Sequence, residues 1–205
     1  MDEEFRWPKK GDILFPKNAF DPHSPTWVNL EWLAGWVYDD SLYAQGFKEA
    51  GDKIIKELSR GEDGRHPDMF FIPIAYLYRH SLELSMKQII GLGVGLEFIA
   101  EDEGVRYALK HHDLNKLWYY VRKIAEEGSA QDELDAVGRV IQAFHAIDKS
   151  GQNLRYSKKL SGEKTIKDYP QFVRLDELQK VVAGVFNFLQ AGDSYLSDAL
   201  QRVNG

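Results

Sequence analysis

The chain has 205 residues, 43% hydrophobic and 28% charged, a balance that fits one ordinary globular domain and excludes a disordered polymer. It contains no cysteine, which excludes disulfides, thiolate zinc sites and cysteine nucleophiles and suits a reducing compartment. The net charge of −6 argues against a chain that coats nucleic acid with surplus cations, while leaving room for a local basic site.

The N-terminal MDEEFRWPKKGDILFP opens acidic and holds no long apolar run, so neither a signal peptide nor a membrane span is expected there. Pro8, Pro16, Pro22 and Pro25 crowd the first 25 residues, which reads as an irregular arm over residues 1–30. Trp27, Trp32 and Trp36 follow at near-helical spacing and mark the start of a packed domain spanning 31–205.

From Tyr38, the apolar positions Leu42, Phe47, Ala50, Ile54 and Leu58 recur at helical intervals up to Arg60-Gly61. After the turn GEDGRHP, a second helix follows Pro67 and runs to about Gly91. GLGVG (91–95) has the glycine content of a phosphate loop, but it follows a helix and not a strand, so it reads as a helix end. Asp113 is a suitable N-cap for a third helix with the stripe Leu114, Leu117, Trp118, Val121 and Ile124. A fourth spans roughly 132–148, and Asp176 with Gln179 forms a capping box for a last helix to about Leu200. Strand-like alternation is absent. The expectation is an all-α bundle of about five helices.

The second helix poses the functional question. In IAYLYRHSLELSMKQII (74–90), a wheel at about 100° per residue gathers Leu77, Tyr78, Ser81, Leu82, Ser85 and Ile89 into one arc. Tyr76, Arg79, His80, Glu83 and Lys87 fall on the opposite band. Arg79–Glu83 and Glu83–Lys87 are i,i+4 pairs that would suit a solvated face. The same residues would also form an anion site with acid–base capacity.

Three segments together resemble the HEPN-like bacterial helical domains: YLYRHSLELSMKQII, HHDLNKLW (111–118) and AFHAIDKSGQNLRYSKKLSG (143–162). YAQGFKEAGDKIIKEL (43–58) resembles the first long helix of that family. The resemblance implies an up-and-down helical bundle that often forms homodimers. It implies either a metal-independent ribonuclease of toxin–antitoxin, defence or RNA-processing systems, or a binding module that has lost catalysis. Nuclease members carry Arg, four to six residues, then His. Of the pairs that match here, Arg139 with His145 is the best placed, and it makes His145 the candidate acid–base residue. Arg139 lacks the usual polar follower, since Val140 comes next.

Residues 149–167, KSGQNLRYSKKLSGEKTIK, set six cations against one anion. Arg155 has the fork for a phosphate and Tyr156 the ring for a base, with Lys158 and Lys159 beside them. Arg79, His80, Glu83, Lys87, Arg155, Tyr156, Lys158 and Lys159 are therefore the candidate ligand-binding residues. His111-His112-Asp113 lacks a third well-spaced metal ligand, and no cofactor box is visible, so neither metal nor cofactor is expected. The expected function is binding of RNA or another phosphate-bearing ligand by a cytoplasmic homodimer in a stress, defence or toxin–antitoxin setting. A ribonuclease, or a scaffold that engages a cognate partner protein, is the alternative.

Overall fold

The computed structural model describes residues 40–61, 66–158, 161, 162, 164 and 172–204. Six α-helices occupy these residues: α1 Asp40–Arg60, α2 Asp68–Gly95, α3 Glu103–Lys110, α4 Leu114–Ala125, α5 Gln131–Ile147 and α6 Leu175–Asn204. No strand is present among the described residues, where an isolated antiparallel bridge joins Lys158 and Lys164. Among the described residues the all-α expectation holds, with six helices where about five were expected. The described helices belong to one compact unit, Asp39–Gly205. The arm expected over 1–30 and the run Trp27, Trp32 and Trp36 lie outside the described residues.

α2 is the axis of the bundle, packing against α1, α4 and α6, while α5 lies on α4. Ile74, Ala75, Tyr78, Leu82, Met86, Ile89 and Ile90 of α2 are all buried, with Leu114, Leu117, Val121, Ile141 and Leu189 supplied by its neighbours. Burying the leucine, isoleucine and methionine side chains among these stabilises by roughly 1.5–3 kcal/mol each. α1 approaches α2 closely because Gly51 offers no side chain there. A Cβ at Gly51 would lie 2.8 Å from Cε1 of Tyr78. The Tyr78 hydroxyl then donates to Oδ1 of Asp52 at 2.7 Å, and Lys48 pairs with Oδ2 of the same carboxylate at 2.7 Å. Burial alone would raise Asp52, but the hydrogen bonds from Lys48, Tyr78 and Gln179 outweigh it and hold the carboxyl below its ordinary value.

Helix ends show where local chemistry overrules expectation. α2 runs through the glycines to Gly95, four residues beyond the expected stop. What halts it is Glu97 at φ 61°, with Phe98 N–H returning to the Gly93 carbonyl at 2.9 Å. A left-handed residue just past the helix closes such a 6→1 bond. α3 escapes the periodicity argument because it is only eight residues long and buries only Val105 and Ala108. Its start is nonetheless marked by Asp102, whose carboxylate accepts from Val105 N–H at 2.8 Å. Asp113 caps α4 as expected, accepting from the N–H groups of Asn115 and Lys116. Asp176, by contrast, lies inside the first turn of α6 and pairs with Arg174, so it is no N-cap.

Candidate functional site

The polar band of α2 is not solvated. Arg79 is 2% exposed and Glu83 1% exposed, and both are enclosed by the His111–Asp113 turn and the loop that follows α5. Arg79 Nη1 donates to Glu83 Oε2 at 2.8 Å, and Nη2 donates to the His112 carbonyl at 2.6 Å. Its Nε donates to the Asp148 carbonyl at 3.2 Å and lies 3.6 Å from the Asp148 carboxylate. Glu83 Oε1 in turn receives Lys87 Nζ at 2.9 Å and His112 Nδ1 at 2.7 Å. A buried ion costs several kcal/mol unless its partners are this complete.

Burial pushes the Glu83 carboxyl up, yet Lys87, His112 and Arg79 together outweigh that effect and hold it at about 2. The carboxylate is therefore ionised at neutral pH and can only accept, so Nδ1 of His112 carries the proton toward it. In a neutral His112 ring, Nε2 is then the acceptor, on a side chain 47% exposed. A carboxylate that fixes one nitrogen and frees the other is the arrangement by which a histidine is oriented for proton transfer.

Local sequence explains why the second loop reaches this point. Asp148 is the C-cap of α5, and its carboxylate gathers the N–H groups of Gln152, Asn153 and Leu154 into a tight turn. Gly151 occupies the turn at φ 72°, a conformation that an L side chain rarely adopts. A Cβ at Gly151 would lie 2.9 Å from Cβ of His112 and 3.4 Å from Nη1 of Arg79. The Gly151 carbonyl then accepts from Arg155 Nε at 2.8 Å, which carries the chain directly into the basic segment.

There, Ile72, Asn153, Leu154, Arg155, Tyr156, Ser157, Lys158 and Lys164 line a cleft of about 360 Å³. None of these residues is acidic. Tyr156 is exposed, with the Arg155 guanidinium carbon 5.9 Å from its ring centre. The basic loop and the Arg79 helix thus adjoin, with Gly151 between them. Lys159 lies outside the described residues.

The candidate residues divide accordingly. Arg79 and Glu83 point into the protein, and their polar atoms meet protein partners. Lys87 is partly exposed but engaged with Glu83. His80 packs edge-on to Phe47 and stacks on Tyr76, and burial pushes its pKa down. Arg139 is exposed on α5, whereas His145 is mostly covered, with Nδ1 at 3.4 Å from Asp113 but not aligned for a hydrogen bond. Because α5 is continuous, their six-residue spacing leaves the two side chains about 120° apart. Within one chain the structure does not bring them together.

Two residues of the site are not apparent from sequence as members of it. His112 reads there only as a possible metal ligand. In the structure His111 faces Tyr107, His112 meets Glu83 and Asp113 caps α4, so the three diverge. Among the described residues no group of three metal-ligating side chains converges. Asp148 has a readable signal in the Asp-Lys-Ser-Gly order, an acid just before a glycine turn after a helix.

No family model, curated protein or solved structure matches this chain. Its function therefore rests on this site alone. No helix among the described residues is long and apolar enough to cross a membrane.

Proposed function

We propose that the chain is a HEPN-like domain that binds RNA or another phosphate-bearing ligand through the loop after α5, acting as a homodimer in a stress, defence or toxin–antitoxin setting. The observation that carries this reading is the cleft lined by Arg155, Lys158 and Lys164 beside the exposed ring of Tyr156. Three cations with no acid among the described lining residues offer phosphate contacts, and a tyrosine face offers stacking to a base. The ion network beneath would hold the loop in place, so that the cations converge without waiting for a ligand.

The test is RNA binding by fluorescence anisotropy over a salt series, comparing the wild-type chain with Lys158→Glu and Lys164→Glu. Each substitution should weaken binding and flatten the slope of log K against log salt by roughly 0.7 for each phosphate no longer neutralised. Equal affinity and slope in the variants, or no RNA binding by the wild type, would overturn the reading.

A second reading, the metal-independent endoribonuclease, is favoured by one observation, the 2.7 Å contact between Glu83 and His112. It moves the acid–base role from His145 to His112, with Arg155 of the adjoining loop as the candidate for steadying a phosphate. RNA cleavage that survives a chelator, disappears in His112→Ala and persists in His145→Ala would support it. Cleavage lost only in His145→Ala would refute it.

A further inference from the structure

A second concavity lies between α3 and α4, remote in sequence from the basic loop. It measures about 380 Å³ and is lined by Gly104, Tyr107, Asn115, Lys116, Tyr119 and Tyr120. Its composition is unusual for a surface. Tyr107 is 45% exposed and Tyr119 53% exposed, although rings of this size ordinarily bury most of their area. Lys116 places its ammonium 3.9 Å from the centre of Tyr107, and Lys123 lies 4.6 Å from that of Tyr119. Neither lysine is in an ion pair among the described residues.

We propose that this cleft is a stacking site for an unpaired nucleotide of a single-stranded nucleic acid. Tyr107 and Tyr119 supply the platforms, while Lys116 and Lys123 reach the flanking phosphates. The lining argues for both halves of such a ligand. A free anion would use the two lysines and leave three phenol rings without purpose. An apolar peptide would use the rings and desolvate two ammonium groups at a cost. A nucleotide needs a flat aromatic face, a cation at a short distance and an amide for the base edge, which Asn115 provides.

Competition for the ring faces also favours the ligand. A cation–π contact at an exposed ring favours the lysine in place by a factor of roughly 2–5, whereas base stacking contributes roughly 5- to 150-fold. An incoming base would therefore displace each lysine from its ring, and the flexible stem would let the ammonium move to a neighbouring phosphate. Gly104 allows the Tyr120 hydroxyl to close against the α3 backbone, because a Cβ at that position would collide with the hydroxyl oxygen. Tyr120 thus closes one wall of the cleft against α3, and the two flexible lysines are the groups that a ligand needs to move.

This cleft shares no residue with the one after α5, so each can fail alone. The test is anisotropy with labelled oligoadenylate of about ten nucleotides, as RNA and as DNA, and with an abasic sugar–phosphate strand of equal length. Tyr107→Ala and Tyr119→Ala should each weaken binding of the base-bearing strands roughly 5- to 150-fold, while Tyr107→Phe and Tyr119→Phe should retain it. The abasic strand should bind the wild type at least as weakly as the full strand binds either alanine variant. Alanine variants that bind like the wild type, an abasic strand that binds equally well, or no saturable binding by any strand would each overturn the proposal. Weakened binding in the tyrosine variants with full binding in Lys158→Glu and Lys164→Glu would uphold this cleft and refute the basic-loop reading. The opposite pattern would refute this cleft and leave the loop standing.

Discussion

Substituting Glu83 by glutamine keeps the shape of the side chain and removes the charge on which Arg79, Lys87 and His112 converge. Two separate routes give the size of the effect. The gap between the ordinary 4.5 and the value of about 2 corresponds to roughly 3 kcal/mol of preferential stabilisation of the carboxylate. Removing one partner from a buried ion pair costs about 3–5 kcal/mol, because the remaining charge is left uncompensated. Arg79 keeps its two carbonyl acceptors and Asp148, so the lower end applies and Glu83→Gln should lose about 3 kcal/mol. For a domain of this size that is a fall of about 6–12 °C in Tm. The sign with pH follows from a depressed carboxyl. Its contribution is complete above about 4.5 and is lost as pH falls through about 2. Urea titrations at several pH values should therefore show the difference between wild type and variant shrinking between about pH 4.5 and 2. A difference below about 1 kcal/mol at pH 7, or one that stays constant down to about pH 2, would refute the account of the network.

Gly151→Ala should destabilise by about 1–2 kcal/mol from the left-handed backbone alone, and more from contact with His112; an unchanged urea midpoint would count against the described turn. Tyr78→Phe removes the donor to Asp52, and thermal melts should show a loss of about 1–1.5 kcal/mol at pH 7. That difference should diminish as pH falls and Asp52 protonates; a difference that grew instead would contradict the depressed carboxyl. Ile141→Ala, fully buried on α5, should cost about 2–5 kcal/mol, checked by chemical denaturation.

How much of this is legible in the sequence depends on the range of the interaction. The apolar periods of α1, α2, α4, α5 and α6 and the cap at Asp113 are local, and a wheel or a spacing rule finds them. The wheel gathers the charged residues of α2 into one band, but Met86 and Ile90, which fall beside and within that band, are core residues too, so the helix is buried on both sides. The wheel cannot say what covers that band, because the cover arrives from 33 and 69 residues away, through His112 and Asp148. Solvent and a folded-over loop leave the same pattern on an isolated helix. The Arg139–His145 spacing illustrates the converse, since a motif match counts residues while a site requires convergence. The α3–α4 cleft is invisible in the sequence for a similar reason. Tyr107 and Tyr119 belong to different helices, one of which carries too few apolar residues to register as a helix.

Arg79 bonds the backbone of two loops that are distant in the chain, and this bears on how the protein breathes. A single guanidinium ties the two together, so either loop that lifts leaves a donor of the buried Arg79 without its partner. Hydrogen exchange should then find the amides of Gln152 and Asn153 opening together with the His111–Asp113 turn as one unit. Whatever grips the basic loop would register at His112 without touching it, by slowing that shared opening.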